Sequence, residues 1–518
     1  CNTASIGITC IINQIIDFKL NQKERKYNLN IKNVYIYTSN ISFYIMKIKS
    51  SFILFIVFST LVFAQKTDKI TANLDAKKEV YSSIAQQIWG FAEMGYQEEK
   101  SAALLQQTLS NEGFKVTKGV AGIPTAFIAE YGEGLPIIAV LGEYDALPGL
   151  SQEAVAEKKS AGKAAGHACG HHLFGTASTA AAIEVKNWLK TNKKKGTIRF
   201  YGCPAEEGGS GKVYLVREGL FNDVDAALHW HPGDANDANP GSALANKSAK
   251  FRFYGIASHA GMAPEKGRSA LDGVEAMNMM VNMMREHIPS DARIHYVITN
   301  GGKAPNVVPD FAEVYYYVRH SNRKMVLDIF DRIAKAAEGA ALGTGTKMDY
   351  ELIGGTHELL PNITLQKMMH ANLVKVGGVQ YTEKEKEFGN QIIQSLGIEN
   401  GSLDKAAVVQ PYKALDPSFG STDVGDVSFT VPTAGMGSAT WVPGTPAHSW
   451  QAVAAGGTDI GNKGMMVAAK TIALTAIDLF LNPSIILKAK EELNQKRGID
   501  FKYTPLLGDR KPALDYRK

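Results

Sequence analysis

Cysteine is scarce: there are four in 518 residues, Cys1, Cys10, Cys169 and Cys203. That is too few and too uneven for a disulfide framework, so Cys169 and Cys203 each need a separate explanation. Charge of one sign is lacking as well. The formal excess of +5 sits wholly in residues 1–64, and from Gln65 onward acids and bases balance, which argues against a nucleic acid as partner. There is no internal repeat and no low-complexity linker; Ser151 to Gly166 is the most loop-like stretch. What is present, 45% hydrophobic and 21% charged residues over this length, describes a globular protein of two or more domains rather than a disordered chain.

The first 45 residues are rich in Ile, Asn, Lys and Tyr, show no amphipathic period and carry no initiating Met. They read as translated upstream sequence, with the start expected at Met46. From there Lys47 and Lys49 make a basic region, Phe52 to Phe63 an apolar run, and Val62-Phe63-Ala64 an imperfect cleavage site before Gln65. This is the pattern of a secretory signal over residues 46–64. The alternative, a membrane anchor, is disfavoured because a run of about 12 residues falls short of the roughly 20 that a spanning helix needs. An exported protein, periplasmic or secreted and free of the membrane after cleavage, is expected.

Beyond an amphipathic helix from Val80 to Gly90, continuing past Met94, and a second from Ser101 to Glu112, strands alternate with helices. Strands are expected at Ile137 to Leu141, Thr197 to Gly202 and Ala226 to His229, with an Ala-rich helix from Gly175 to Leu189. This is an α/β pattern with a mostly parallel sheet. Between Ser248 and Gly354 the order becomes strand (Lys250 to Ile256), helix (Ala270 to Glu286), two strands (Ile294 to Thr299, Glu313 to Val318), helix (Met325 to Ala340), strand (Lys347 to Leu352). That βαββαβ order is ferredoxin-like and reads as a second domain, 248–354, inserted into a first made of 70–247 and 355–485. A long helix around Lys463 to Leu481 precedes a charged tail, 486–518.

Chemistry collects at the strand ends, where open α/β sheets bind ligands. "IIAVLGEYDALPG" ends in Glu143 and Asp145, "TIRFYGCPAEEGGSG" in Glu206 and Glu207, and "DAALHWHPGD" in His229 and His231, while "AAGHACGHHLFGT" places His167, Cys169, His171 and His172 before the Ala-rich helix. Taken singly each motif is weak. Together they form a thiol, imidazole and carboxylate set whose mutual repulsion a divalent cation relieves; without one, Glu206 and Glu207 near Asp145 would be costly to bury ionised. "EEGGSGKV" is not a phosphate-binding loop, since Glu206 and Val213 stand where that pattern demands Gly and Ser or Thr. A Cys169 nucleophile with a His base is the competing reading, but it leaves Glu206 and Glu207 idle.

These motifs, with "LGEYDALPGLSQ", "PAEEGGSGK", "ASHAG", "GRSALDG", "NVVPD", "STDVGDVS" and "PGTPAHSWQ", occur in the order found in the aminoacylase and carboxypeptidase family of two-metal hydrolases. The chain resembles the amidohydrolase branch of that family from Val80 to Leu481. The resemblance implies two divalent metals, zinc or manganese, with ligands at Cys169, His171, Glu207, His231 and His448, either Cys169 or His171 being shared. It implies Glu206 as general base and acid, Asp145 behind a ligating His, His259 on the oxyanion, and Asn306 and Arg319 on the substrate carboxylate. Glu143 stands where other branches put a ligating His, so its role stays open, and His172, where relatives carry Asp or Asn, is expected to be a hydrogen-bonding neighbour of the ligands. The inserted domain is implied to be a lid and dimerisation domain, with a homodimer expected and a heterodimer as the alternative; the Met-rich helix "EAMNMMVNMM" is expected in its core or interface. The expected substrate is an N-acyl amino acid, p-aminobenzoyl-glutamate first, with aminoacylase or dipeptidase activity next. A metal-binding scaffold without turnover is disfavoured because the base and the ligands are all present.

Overall fold

The computed structural model describes residues 69–239, 241–413 and 415–517; the upstream segment 1–45 and the signal expected over 46–64 lie outside them. After a helical stretch over residues 69–76 come helices α1 (Lys78–Phe91) and α2 (Glu99–Asn111). Helix α1 stops earlier than the apolar pattern suggested. Ala92 adopts a left-handed conformation (φ 48°) whose N–H caps Ile88, and Met94 instead bridges Ala146.

A six-stranded sheet follows, built from β1 (Lys115–Lys118), β2 (Phe127–Glu133), β3 (Ile137–Glu143), β4 (Gly196–Cys203), β5 (Ala226–Gly233) and, much later, β10 (Thr433–Ala439), in the order β1-β2-β4-β3-β5-β10. The four strands from β4 to β10 run parallel, and β2 and β1 close one edge antiparallel. The three expected strands are present, and each runs further toward its carboxyl end. Glu143, Cys203 and His231 are therefore in the sheet itself. Helix α3 (His171–Thr191) is buried along nearly its whole length, and its Ala177, Ala180, Ala181 and Ala182 let neighbours approach closely from several sides. It begins four residues before the apolar pattern does, which makes His171 its first residue.

The inserted domain has the expected strand and helix order: β6 (Ala245–Tyr254), α4 (Ala270–Met284), β7 (Arg293–Asn300), β8 (Phe311–His320), α5 (Arg323–Thr344) and β9 (Lys347–Thr356). Its sheet order, β7-β8-β6-β9, is antiparallel throughout. Strand β8 buries every second residue, the period-2 pattern of a sheet with helices on one face only.

The chain returns to the first domain through α6 (Ile363–Val376), α7 (Glu383–Ser395), β10, α8 (Asp459–Leu481) and α9 (Pro483–Arg497). Helix α8 is long and apolar enough to span a membrane by composition, yet its most apolar stretch is 83% buried within the protein; it packs on α3 as a core helix. The charged tail expected over 486–518 carries structure of its own. Helix α9 occupies it to Arg497, and residues 498–517 pack onto both domains.

Candidate metal centre

The candidate ligands converge because of backbone periodicity and topology. His229 and His231 are two residues apart on β5 and face the same side of the sheet, while Trp230 faces the other and donates from Nε1 to Phe174 O at 3.1 Å. Gly170 precedes α3 in the left-handed region (φ 75°), and a Cβ there would lie 2.6 Å from Pro232. Only glycine lets the turn set Cys169 and His171 beside the end of β5. Beyond β4, Ala205 (φ 56°) and Ser210 (φ 58°) are left-handed without being glycine. The loop carrying Glu206 and Glu207 is held in this conformation by Glu98, a buried carboxylate that accepts from Ala205 N at 2.8 Å and from Thr125 Oγ1 at 3.0 Å. His448 is also left-handed (φ 61°) and donates its N–H to Ala168 O at 3.0 Å.

Five residues, Cys169, His171, Glu207, His231 and His448, gather into two triads. Donor atoms of Cys169, His171 and His231 lie within 4.8 Å of one another, as do those of Cys169, Glu207 and His448. Cys169 belongs to both, and His171 also falls in a third such group with Glu143 and Glu206, so each of the two candidates for a shared position lies in two groups. The orientation of two of the rings is secured from behind. His171 Nδ1 donates to Asp145 Oδ1 at 2.8 Å, and the second oxygen of Asp145 accepts from Glu207 N at 2.9 Å. His231 Nδ1 donates to Pro232 O at 2.7 Å, which leaves its Nε2 lone pair facing Cys169 Sγ at 3.4 Å. Such outer hydrogen bonds fix the tautomer that ligates.

The residues fit a cation. His171 Nε2 stands 3.1 Å from Glu143 Oε2, and both atoms are buried without a well-formed hydrogen bond. Burial pushes the Cys169 thiol up, and a thiol kept protonated by burial gives up its proton to a bound metal. Burial also disfavours the imidazolium of His171, but Cys169, Asp145 and Glu143 outweigh it and raise the pKa well above the ordinary value. Burial would raise Glu207 too, yet His448, 3.1 Å away, and His171 bring it down to about 2. Glu206 moves the other way. Burial first, then Glu143, Glu207 and Asp423, hold it well above the usual carboxylate range.

Three further participants went unmarked in the sequence: Lys212, Asp423 and Glu98. Lys212 is wholly buried and donates from Nζ to Glu143 Oε1 at 2.5 Å and to Asp423 Oδ1 at 2.7 Å. This assigns Glu143 a place, between Lys212 and His171. The readable signal was an excess of acids at the strand ends with no cation to balance them. For Glu98, nothing near it in the sequence points to its part. His172 donates to Gly456 O at 3.0 Å and His167 to Ile88 O at 3.1 Å; both are buried hydrogen-bonders outside the triads.

A cavity of about 650 Å³ opens over the triads, and Glu206, Tyr317 and Arg319 also line it. Arg319 stacks over Tyr317 (5.6 Å) and reaches Ser421 Oγ at 3.4 Å, with its Nε unpartnered. His259 and Asn306 are not in the cavity wall. They sit exposed on adjoining loops, where Ala260 N donates to Asn306 O at 3.0 Å. Antiparallel β6 and β8 explain the separation: Arg319 pairs with Asn246 at the domain junction, whereas His259 and Asn306 lie past the opposite strand ends, where Phe311 pairs with Tyr254. Ten residues of strand put about 30 Å between the two ends.

The peptidase dimerisation domain family matches residues 245–344, the inserted domain. The chain is 45% identical over 449 residues to one of the subunits of the p-aminobenzoyl-glutamate hydrolase of Escherichia coli (strain K12), covering 82% of this chain and 93% of the relative. It is 30% identical over 438 residues to the Xaa-Arg dipeptidase of Mus musculus, covering 82% and 91%. Its fold is similar to that of a dinuclear metal-binding peptidase of the M20 family from Bacillus subtilis, with a TM-score of 0.52 over 79% of this chain and 99% of that one at 17% identity. The chain belongs to the M20 family, the aminoacylase and carboxypeptidase-type hydrolases its motifs resemble, and is a metal-dependent amidohydrolase.

Proposed function

We propose that the protein hydrolyses the amide bond of N-acyl amino acids, with p-aminobenzoyl-glutamate as its principal substrate. The observation that carries this reading is the pair of triads sharing Cys169, with Glu206 beside them in a cavity that also contains Arg319. Cys169, His171 and His231 would hold one divalent ion and Cys169, Glu207 and His448 the other, zinc or manganese by the mixture of thiol, imidazole and carboxylate donors. Bound there, the ions would supply Lewis acidity and bring the pKa of water toward neutrality. Glu206 then takes the proton of the attacking water on a carboxylate oxygen and returns it to the leaving nitrogen, work suited to a carboxyl whose pKa is raised. Arg319 holds the free carboxylate of the amino-acid half, and Asp145 keeps His171 aligned. His259 and Asn306, exposed on the inserted domain, serve the oxyanion and the carboxylate by being delivered from a second copy, so a homodimer is the proposed assembly.

The substrate is favoured by the 45% identity to a relative named for p-aminobenzoyl-glutamate. A dipeptidase activity is the second reading, favoured by the more distant Xaa-Arg dipeptidase. Replacing Glu206 with Gln should leave metal content nearly intact while p-aminobenzoate release falls at least about 100-fold; unchanged release refutes the assignment. Export is part of the proposal, supported by Lys47, Lys49 and the apolar run 52–63. Intact mass of protein recovered outside the cytoplasm should begin near Gln65.

A further inference from the structure

The segment after α9 reaches the centre of the molecule. Gly498 (φ 91°) ends the helix, and the chain then crosses the domain junction. Leu506 is buried in the apolar core of the inserted domain and Leu507 in that of the first. Lys247 Nζ donates to Leu506 O at 2.6 Å, Arg510 Nη1 to Ile353 O at 2.6 Å, and Arg217 Nη1 to Arg510 O at 2.7 Å. Further on, Gln97 Nε2 donates to Leu514 O at 2.8 Å and the Tyr516 ring packs edge-on to Tyr96. The strap ends against the loop of the general base: Tyr516 OH and Arg517 Nη2 both donate to Glu207 O, at 3.1 and 2.9 Å.

Arg517 thereby becomes part of the cavity wall, as Arg319 is. Among the described residues neither guanidinium forms an ion pair with a carboxylate. Arg319 stacks on Tyr317, whose hydroxyl lies 3.1 Å from that of Tyr315. An acyl amino acid with a neutral side chain offers one carboxylate, which Arg319 takes. A second guanidinium in the same cavity, held by Glu207 O and the Tyr516 ring but by no carboxylate among the described residues, has a use when the amino acid carries a second carboxylate.

We propose that Arg517 binds the side-chain carboxylate of the substrate and so selects acidic amino-acid halves, glutamate or aspartate; this rests on the reading above in which Arg319 takes the main-chain carboxylate. The strap is then a specificity element: burying Leu506 and Leu507 in the two domains places the guanidinium beside the Glu206-Glu207 loop.

The test separates binding from turnover. In manganese-loaded Glu206→Gln protein, calorimetric titration should show p-aminobenzoyl-glutamate binding at least about tenfold tighter than p-aminobenzoyl-alanine, the scale of one hydrogen-bonded ion pair. Adding Arg517→Ala should bring that ratio close to one, and Arg517→Lys should restore part of it. Adding Tyr516→Phe, which removes a contact to Glu207 O but no charge, should leave the ratio in place. Equal affinities for the two amides before Arg517 is changed, a ratio unaffected by Arg517→Ala, or a ratio lost equally in Tyr516→Phe each overturn the proposal. Release of p-aminobenzoate with Glu206 intact tests the proposed function separately. An Arg517-dependent ratio without release overturns that reading and keeps the carboxylate site; release without such a ratio does the reverse.

Discussion

Lys212 shows how a single residue holds the site together. Burial acts against its charge, but Asp423 and Glu143 raise its pKa well above the ordinary value. Asp423 in turn is raised by burial and restrained by Lys212, to about 6. Removing the cation leaves two buried carboxylates facing each other and His171. Lys212→Met should therefore cost about 3–5 kcal/mol of unfolding free energy in urea; a loss below about 1 kcal/mol would show that the two acids find other partners. Asp426 carries a different kind of charge. Burial raises it to about 7, although Tyr503 OH and His357 N donate to it at 2.7 and 2.9 Å. An acid with a raised folded pKa is protonated in the fold and ionised in the unfolded chain across the window between about 4 and about 7, so it removes stability as pH rises through that window. Asp426→Asn should lack this contribution. Urea midpoints at pH 5 and pH 8 should fall more for the parent than for the variant, and parallel shifts would contradict the assignment.

At the scale of elements, the meeting of α3 with the end of β5 is the critical joint. Gly170 supplies it, with φ 75° and Pro232 where a Cβ would go. Gly170→Ala should destabilise by at least about 1 kcal/mol from backbone strain alone. It should also lower bound metal, because Cys169 and His171 flank the turn; metal content and thermal unfolding measured together check both. Strand β10 is a second such joint. Its "TAGMGSA" sequence is poor in strand-forming residues, yet it pairs in parallel with β5, and Gly435 lies against the His229 ring. The glycines that hid the strand in the sequence make room for that imidazole.

On the scale of the whole molecule, an apolar face of the inserted domain is left uncovered among the described residues. Met279, Met280 and Met283 on α4 are exposed, as is Ile298 of the edge strand β7, which by strand alternation shares the helix-bearing face with Ile294, while Met277 is in the core. The Met-rich helix thus has one side in the core, one of the two places expected for it, and leaves the other side exposed; the match to a dimerisation domain is in keeping with that exposed side. Met279→Glu with Met283→Lys should turn a dimer into a monomer in sedimentation experiments. If His259 and Asn306 serve a neighbouring site, turnover should fall with the dimer, whereas full activity in a monomer would exclude delivery by a partner.

Residue types and local periodicity determined much by themselves. The alternation of strands and helices, the βαββαβ insertion, and the thiol, imidazole and carboxylate set at the strand ends are all local patterns, because the period of a strand or helix is written in neighbouring residues. Tertiary structure alone decided which groups meet. Cys169 joins the two triads of expected ligands, His171 also meets Glu143 and Glu206, Lys212 neutralises Glu143 and Asp423, and Glu98 holds Ala205 from 107 positions away. His259 and Asn306 fall about 30 Å from Arg319 because antiparallel strands separate their ends. The last residues became a strap because Leu506 and Leu507 bury themselves in two different cores, a pairing of distant surfaces that no window of sequence records.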